Sequence, residues 1–412
     1  MTTQAPAARQ SFSAFRHPGY RIQFVSYVLV MMADNVEHVI SYWVMYQKFE
    51  SPLLGGFAVL SHWLPFLLLS VAVGALADKF DPRRIIQCGM ALFIAASAGW
   101  GYFFITDTLT VEAAMALLVI HGCAGVLWQT PNQLLLYDIV GPEDLPSAVR
   151  LNATARYLGV LVGPAMGGLI MLTLGTSIGI VVNTLFYLPM LLWLIGAPYG
   201  PKFRTIAQAP QRAVRGFADF IRTFRDIAGD RVLLSMILLA GGTSFLVGNA
   251  YHPQMPNFAI DLGHGDPGVS YSALLAADAF GAILAGFALE SWRVLDAKPR
   301  TAIILATAWA LALFGFALTG SYPFALAMLF VAGFFELSYN AMAQTLVQLN
   351  APNDIRGRVI GLFNMASLGM RAFSGITVGL VGAMTGIHVS LALAAGLAVI
   401  VLAALFQYVR RP

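Results

Sequence analysis

The chain has 412 residues, of which 58% are hydrophobic and only 11% are charged. A soluble domain carries about 25% charged residues, so a soluble core of this length would lack its charged shell. We therefore expect lipid to be the solvent for most of the surface. The formal net charge of +4 is small and does not indicate a nucleic-acid partner. Cys88 and Cys123 lie in long apolar runs, which favours reduced core residues over a disulfide.

Apolar stretches long enough to cross a bilayer recur along the whole chain. A membrane-spanning helix needs about 20 mostly apolar residues. The apolar stretch after the polar segment 1–20 is too long for a cleaved signal peptide, so we expect the first helix to be retained. The predicted spans, numbered 1 to 12, lie at 22–47, 54–77, 84–106, 111–138, 151–173, 176–197, 231–250, 268–290, 300–319, 322–349, 357–384 and 387–408.

The positions of lysine and arginine predict the orientation, because cytoplasmic loops of membrane proteins collect positive charge. With a cytoplasmic N-terminus, the inner segments hold 21 of the 24 lysines and arginines. The outer loops hold only Lys48, and Arg156 and Arg371 lie inside predicted spans. We therefore predict a multi-pass protein of the cell inner membrane with both termini in the cytoplasm.

Span 1 carries a polar face at mid-depth. Asp34, Glu37, His38 and Ser41 follow one another at helical spacing, so they share one side of the helix. An ionisable side chain at the bilayer centre costs roughly 3 kcal/mol on insertion scales. Asp34, Glu37 and His38 are therefore our proton-coupling candidates. The alternative is a structural cluster that only holds span 1 to its neighbours.

The loop after span 2 carries a recognisable pattern. Segment 74–84, with Gly74, Asp78, Arg83 and Arg84, resembles the G-x-L-a-D-r-x-G-r-r loop of the major facilitator superfamily. Asp81 departs from that pattern by replacing its second glycine. The resemblance implies a transporter of this superfamily in which the loop latches the two halves together, and we expect Asp78 to lie near Arg356 or Arg358.

Span 5 resembles an element found in exporters of this superfamily. Its residues match G-x-x-x-G-P-x-x-G-G, and the alternative is a generic face of small residues for helix packing. The same exporters often carry R-x-x-q-G in span 4, but here Leu118 takes the arginine position and His121 precedes Gly122. Proton antiport is therefore not implied by that motif. The span 5 element consists of Gly159, Gly163, Pro164, Gly167 and Gly168.

The polar stretch 198–230 divides the spans six and six. Val214, Phe217, Ile221 and Phe224 recur there at helical spacing among arginines, Arg212 and Arg215 included. This pattern predicts an amphipathic helix on the inner membrane surface. The alternative is a solvated linker helix without lipid contact.

An internal repeat relates the two halves. A shift of 210 residues lays Pro142 on Pro352 and Gly159 on Gly369, and a slightly different shift lays Asp78 on Glu290. We therefore predict an all-α membrane protein with twelve transmembrane helices. Residues 1–197 and 231–412 form two six-helix bundles related by a pseudo-two-fold axis along the membrane normal, and residues 198–230 link them.

Further polar residues lie inside other predicted spans. In the superfamily fold, spans 1, 4, 7 and 10 line the cavity most directly, so spans 4 and 10 supply substrate-contact candidates. Arg156 and Arg371 need carboxylate partners, for which Asp278 and Glu336 are available. His62 and His121 are interpreted as core histidines. The substrate-cavity candidates are Gln129, Asn132, Glu336, Tyr339, Asn340 and Arg371, and the intramembrane charge partners are Arg156 and Asp278.

The sequence favours a transporter over an enzyme. It contains no cysteine cluster, no close histidine pair and no G-x-x-x-x-G-K-[ST] phosphate loop, so we predict no metal site and no cofactor. The leading hypothesis is proton-coupled export of a small organic compound by a monomer in contact with membrane lipid. An importer or facilitator of a polar metabolite is the second, and a non-transporting membrane scaffold or sensor is the third.

Overall fold

The structure is a computed structural model that describes residues 11–49, 52–203, 214, 216–263, 269–292, 297–375, 378 and 381–410. Regular structure among these residues is helical, and they contain no β-strand. The predicted all-α class is therefore confirmed.

The helices before residue 200 follow the first six predicted spans with one merger. A single long helix covers spans 4 and 5 and enters span 6, and its backbone leaves helical geometry at Gly141 and Gly175, where φ is +70° and +74°. Residues 139–150, expected as a polar loop, are otherwise helical because Pro142 restarts the helix directly after Gly141. The helices are α1 (Pro18–Phe49), α2 (Pro52–Lys79), α3 (Pro82–Thr106), α4 (Val111–Asn183) and α5 (Leu188–Gly196).

The later helices include two interrupted spans. Span 7 stops being regular at Leu246, and span 11 contains a five-residue π-helix, Met365–Gly369. Short π-helices occur frequently at functional sites. The helices are α6 (Phe217–Ile227), α7 (Arg231–Leu246), α8 (Met255–Asp261), α9 (Val269–Trp292), α10 (Pro299–Leu318), α11 (Tyr322–Asn350), α12 (Arg356–Asn364), α13 (Arg371–Ser374), α14 (Val381–Thr385) and α15 (Ile387–Arg410).

Helix length and hydropathy agree with a membrane location. Seven helical segments of the described chain are long and apolar enough to cross a bilayer, and one of them, 111–203, contains three predicted spans. Large apolar side chains are also exposed along these helices, such as Leu172 at 88% and Leu68 at 64%. Such surfaces suit contact with lipid.

The buried apolar core is divided along the chain. The largest cluster runs from Ile227 to Leu405 and includes only Val71 from earlier in the sequence. A second cluster is built mainly from α1, α3, α4 and α5, with Leu337 among its few later members. Each part of the chain therefore packs mostly on itself.

Helix α6 is the described part of the linker, and residues 204–213 and 215, which include Arg212 and Arg215, lie outside the described residues. Asp219 and Thr223 are buried against the protein, whereas Ile221 and Phe224 are 48% and 41% exposed. Ile227 is also buried, and Arg222 and Arg225 are exposed, so apolar and polar residues occur both toward the protein and away from it.

Candidate functional site

A cavity of about 320 Å³ lies where helices from both parts of the chain meet. Its walls combine aromatic rings with ionisable groups. Asp34 and His38 come from α1, Arg156 from α4, and Glu336 from α11. The aromatic part of the lining consists of Tyr42, Trp63, Phe66, Phe93, Trp128 and Tyr157.

A smaller chamber of about 60 Å³ shares part of this lining. Gln129, Arg156 and Arg371 face both spaces. Most of the polar residues in the wall of the chamber are amides, and no carboxylate is among its described lining residues. The amides are Gln129, Asn132, Gln133, Asn152, Asn340, Gln344 and Asn364.

The first group of ionisable side chains, which we call the histidine–carboxylate cluster, consists of Asp34, Glu37, Ser97 and His121. Nε2 of His121 lies 2.7 Å from Oδ1 of Asp34, and Nδ1 lies 2.8 Å from Oε1 of Glu37. The hydroxyl of Ser97 donates to the other Glu37 oxygen. Glu37 is 1% and His121 3% exposed, so the cluster is held inside the α1, α3 and α4 packing.

The geometry of this cluster sets how many protons it holds. Each contact between a ring nitrogen and a carboxyl oxygen needs one hydrogen, supplied by the ring or by the carboxyl group. His121 makes two such contacts. Two protons therefore satisfy both contacts and leave the cluster with one negative charge, because the imidazolium then faces two carboxylates. A third proton, on a carboxyl oxygen outside these contacts, makes the cluster neutral. Its charge depends on its proton content.

His38 and His62 lie beside this cluster. Their ring centroids are 4.9 Å apart, and that of His38 is 4.8 Å from His121. Asp34, His38, His62 and His121 each offer one metal-ligating atom, all within 4.8 Å of one another. The prediction of no metal site relied on the absence of a close histidine pair in the sequence, and the fold brings these histidines together. Because both His121 nitrogens already contact carboxyl groups, Asp34, His38 and His62 are the residues that could hold an ion.

The second group, which we call the tyrosine–carboxylate cluster, consists of Tyr251, Asp278 and Glu336. The Tyr251 hydroxyl lies 3.4 Å from Asp278 Oδ1 and 3.5 Å from Glu336 Oε2. His252 Nε2 is 3.4 Å from Asp278 Oδ2, and an Arg371 nitrogen is 3.9 Å from Glu336 Oε1. These contacts are long, so this cluster is looser than the first.

Two expectations about charged and aromatic candidates need correction. Arg371 approaches Glu336 as expected, but Arg156 makes no ion pair or hydrogen bond within the described part of the chain, because its side chain faces the cavity and the chamber. Tyr339 lines neither space. It is 3% exposed and packs on Trp309, with the ring centroids 5.4 Å apart.

Amide side chains join α4 to α11 and α12 beneath the chamber. Gln133 donates to Asn364 at 3.0 Å, and Gln348 donates to Gln133 at 3.3 Å. Asn364 also donates to Thr130 at 3.1 Å. Movement of these helices apart would break all three hydrogen bonds.

Asp78 links α2 to α12 at the end of the molecule that we call the basic end, where Arg150 and Arg358 form ion pairs. Its carboxylate accepts hydrogen bonds from the Gly357 and Arg358 backbone amides at 2.5 and 3.1 Å and from the Arg358 side chain at 3.0 Å. Gly74 is required there, because a Cβ would overlap the Gly357 carbonyl. Arg358 also lies 3.4 Å from Asp219 of α6.

Glu290 makes the corresponding link between α9 and α4. Its carboxylate lies 2.5 Å from a guanidinium nitrogen of Arg150 and accepts from the Ser147 hydroxyl at 2.5 Å. The Phe12 backbone amide donates to it at 2.7 Å. Asp78 and Glu290, paired by the repeat, therefore occupy equivalent positions.

The rest of the 74–84 loop makes its contacts within the N-terminal part of the chain. Asp81, which replaces the glycine of the pattern, caps the start of α3 by accepting from the Arg83 amide at 3.0 Å. Burial opposes ionisation of Asp81, but its hydrogen bonds from Arg83 outweigh this and hold the pKa of Asp81 below its usual value. Arg83 also donates to the Ala197 carbonyl. Arg84 is exposed and contacts Gln87 at 2.9 Å.

The span 5 element packs on α1. A Cβ at Gly159 would lie 2.6 Å from Cβ of Met31, and one at Gly163 would overlap Asn35. Gly167 faces Val39 in the same way, whereas Gly168 has open space around it. The backbone at Pro164 stays helical. The small residues thus bring α4 close to the helix that carries Asp34 and Glu37.

Sequence reasoning missed several members of both clusters. His121 was interpreted as a core histidine, yet it bridges the two span 1 carboxylates. His252 lies beyond the end of predicted span 7, at residue 250, yet it lines the cavity beside Asp278. No pattern in the sequence indicated that Ser97 or Tyr251 belongs to such a cluster. The one available indication was the density of ionisable residues in apolar spans, which each need a partner.

Comparison with known proteins places the chain among transporters. A family model described as "Transmembrane secretion effector" matches residues 9–412. The "Multidrug efflux pump Tap" of Mycobacterium tuberculosis is 27% identical over 383 residues, which cover 87% of this chain and 84% of that protein. The predicted resemblance to the major facilitator superfamily is confirmed, and its members are transporters rather than enzymes.

Solved structures share the fold. The human organic anion transporter MFSD10 (TETRAN) has a TM-score of 0.75 and 14% identity, covering 98% of this chain and 100% of that one. A single-substitution variant of the Escherichia coli fucose:proton symporter FucP has a TM-score of 0.71 and 13% identity, covering 96% and 100%. At these identities the likeness concerns the fold alone.

Proposed function

Because the chain belongs to the transmembrane secretion effector family of the major facilitator superfamily, we propose that it is a proton-coupled exporter of small organic compounds. The observation that carries this proposal is the histidine–carboxylate cluster, whose Asp34 lines the cavity. A site whose charge depends on its proton content, placed beside a space for a ligand, links the two events that a coupled transporter must link.

The proposed architecture has twelve spanning helices in two bundles, residues 1–197 and 231–412, related by a pseudo-two-fold axis and joined by the segment 198–230. The division of the apolar core and the equivalent positions of Asp78 and Glu290 support it. The basic end faces the cytoplasm with both termini, since cytoplasmic segments collect positive charge. The protein works as a monomer in the cell inner membrane.

Transport proceeds by alternating access of the cavity to the two sides of the membrane. Coupling requires that the proton site differ in affinity between the two states. A third proton on Asp34 or Glu37 neutralises that carboxylate and weakens its contact with His121, which loosens α1 from α4. Release of that proton restores the charged contact. The latches at Asp78 and Glu290 and the Gln133 amide network open when the basic end opens.

Export is favoured over import by the efflux relative and by the small-residue face that packs span 5 on α1. The fold alone does not set the direction, because a fucose:proton symporter shares it. Ionisable groups concentrated around a cavity disfavour a scaffold, which gains nothing from the cost of placing them in the membrane.

The test uses the purified full-length protein in proteoliposomes loaded with a panel of cationic, neutral and anionic fluorescent dyes, with and without a pH gradient. Asp34→Asn and Glu37→Gln should abolish accumulation driven by the gradient, while downhill exchange survives. Asp107→Asn is the matched control, since that exposed carboxylate lies outside the cavity. Uphill pumping at the normal rate by both neutral variants would make the cluster structural.

A further inference from the structure

The chamber beneath the cavity has a distinct chemical character. Its described lining contains Arg156 and Arg371 together with amides and no carboxylate. The carboxylates Asp34 and Glu336 face the larger cavity instead. The two spaces therefore differ in charge: the larger one is mixed, and the chamber is positive with many hydrogen-bonding groups.

Arg156 differs from the other charged groups around the cavity in lacking a partner. Asp34 contacts His121 at 2.7 Å, and Glu336 is paired with Arg371 at 3.9 Å. Among the described residues Arg156 has neither an ion pair nor a hydrogen bond, although it faces both spaces. Charged side chains inside membranes pair with one another or with backbone carbonyls, or face a cavity where they mark a substrate pathway. Arg156 is therefore placed to bind an anion that enters the cavity.

Amide groups near Arg156 can add hydrogen bonds to that anion. Gln129 and Gln344 line the chamber and make no hydrogen bond to described residues. Asn152 accepts from Tyr20 at 3.1 Å through its carbonyl oxygen, which leaves its NH₂ group as a donor. A guanidinium with neighbouring NH₂ donors suits a carboxylate or a similar acidic group.

The two volumes match the two parts of an amphipathic ligand. The chamber, at about 60 Å³, holds a group the size of a carboxylate, since a water molecule occupies about 30 Å³ in the liquid. The larger cavity, at about 320 Å³, has an aromatic wall that includes Trp63, Phe66 and Trp128. A flat apolar body fits against such a wall.

We infer that the exported compounds are amphipathic organic anions, with the acidic group bound at Arg156 in the chamber and the apolar body lying in the larger cavity. This inference rests on the proposed function for the identity of the site, and it adds the class of substrate. Arg156 is its specificity-determining residue.

The experiment compares three probes that share one aromatic body: 2-naphthoate, 2-naphthamide and 2-naphthylmethylammonium. Binding to the purified full-length protein is measured by isothermal titration calorimetry at pH 7.5. We expect the anion to bind about tenfold or more tightly than the amide, because a hydrogen bond between charged groups contributes more binding free energy than one between neutral groups. Equal or tighter binding of the ammonium probe, or no binding of naphthoate at millimolar concentration, would overturn the inference.

Variants then assign the preference to Arg156. Arg156→Gln should remove the advantage of naphthoate over the amide, and Arg156→Lys should retain part of it, which guards against loss of folding in the first variant. Arg300→Gln removes an exposed arginine on α10 and should change nothing. A preference that survives in a folded Arg156→Gln protein contradicts the proposal.

Two further arms separate the outcomes. Added phosphatidylglycerol should not compete with naphthoate, and competition would assign Arg156 to a lipid headgroup instead. Binding selectivity and proton-driven flux are measured independently. Selective binding without gradient-driven transport would reject proton coupling and keep the substrate class, whereas gradient-driven transport without anion preference would do the reverse.

Discussion

The two halves of the molecule are alike at the basic end and different in the cavity. Asp78 and Glu290 both bind the start of a facing helix through backbone or hydroxyl donors and an arginine. Beside the cavity, the contacts of His121 are 2.7 and 2.8 Å, whereas those of Tyr251 are 3.4 and 3.5 Å. The repeat is therefore preserved at the basic end and has diverged around the cavity.

The local backbone explains the difference in tightness. The histidine–carboxylate cluster lies on α1, α3 and the part of α4 before Gly141, all of regular helical geometry, and the glycines of the span 5 element bring α4 close to α1. Tyr251 instead follows the irregular end of α7, and Arg371 follows the π-helix. A tight cluster holds protons at defined positions, and a loose one can adapt to a ligand.

Removal of His121 should have the largest effect. His121→Leu leaves two buried carboxylates without their shared partner, and loss of one member of a buried pair costs about 3–5 kcal/mol. We expect the midpoint of thermal unfolding in detergent to fall by several degrees. Glu37→Gln added to His121→Leu removes one of the two stranded carboxylates and should recover part of the loss. A midpoint equal to that of the wild type would show that the cluster is not a tight unit.

The latches should give the next largest effect and should behave alike. Asp78→Asn and Glu290→Gln each weaken hydrogen bonds to a charged group, worth about 1.5–3 kcal/mol. Accessibility should shift toward the state open at the basic end by about tenfold or more, measured by labelling of introduced cysteines from each side. Unchanged labelling in both variants would remove the latch role, and a shift in only one would break the equivalence of the halves.

Removal of the Tyr251 hydroxyl should have a smaller effect than removal of His121. Tyr251→Phe loses two long contacts, so we expect a cost of about 1 kcal/mol or less. Thermal unfolding of the variant measures the difference, with Tyr339→Phe as the control at a buried tyrosine outside the tyrosine–carboxylate cluster. A loss as large as that of His121→Leu would mean that the tyrosine–carboxylate cluster is as tight as the first.

The ion pairs at the end opposite the basic end should have the smallest effect. A hydrogen bond from Lys48 lowers the pKa of Asp107 from its usual value, and the two groups are 2.6 Å apart. A carboxyl group whose pKa is lower in the folded than in the unfolded state stabilises the protein at pH values above the unfolded-state pKa. This stabilisation is lost as the pH falls through the folded-state pKa. Lys48→Gln should therefore reduce the unfolding midpoint slightly at pH 7 and by less at pH 3. A larger reduction of the midpoint at pH 3 than at pH 7 would contradict the lowered pKa of Asp107.

The sequence by itself determined the all-α membrane class, the superfamily and the position of the polar linker, because lipid imposes a local demand for apolar residues that each span satisfies on its own. It also singled out Asp34, Glu37 and Asp78, because a charge in or beside a membrane span is costly and therefore indicates a functional or pairing role. Only the tertiary structure decided the partners of Asp34 and Glu37. His121 lies 84 residues from Glu37 along the chain, and apolar periodicity carries no information about which polar face meets which. Arg156, expected to be paired, has no described partner because helix packing turned it toward the cavity.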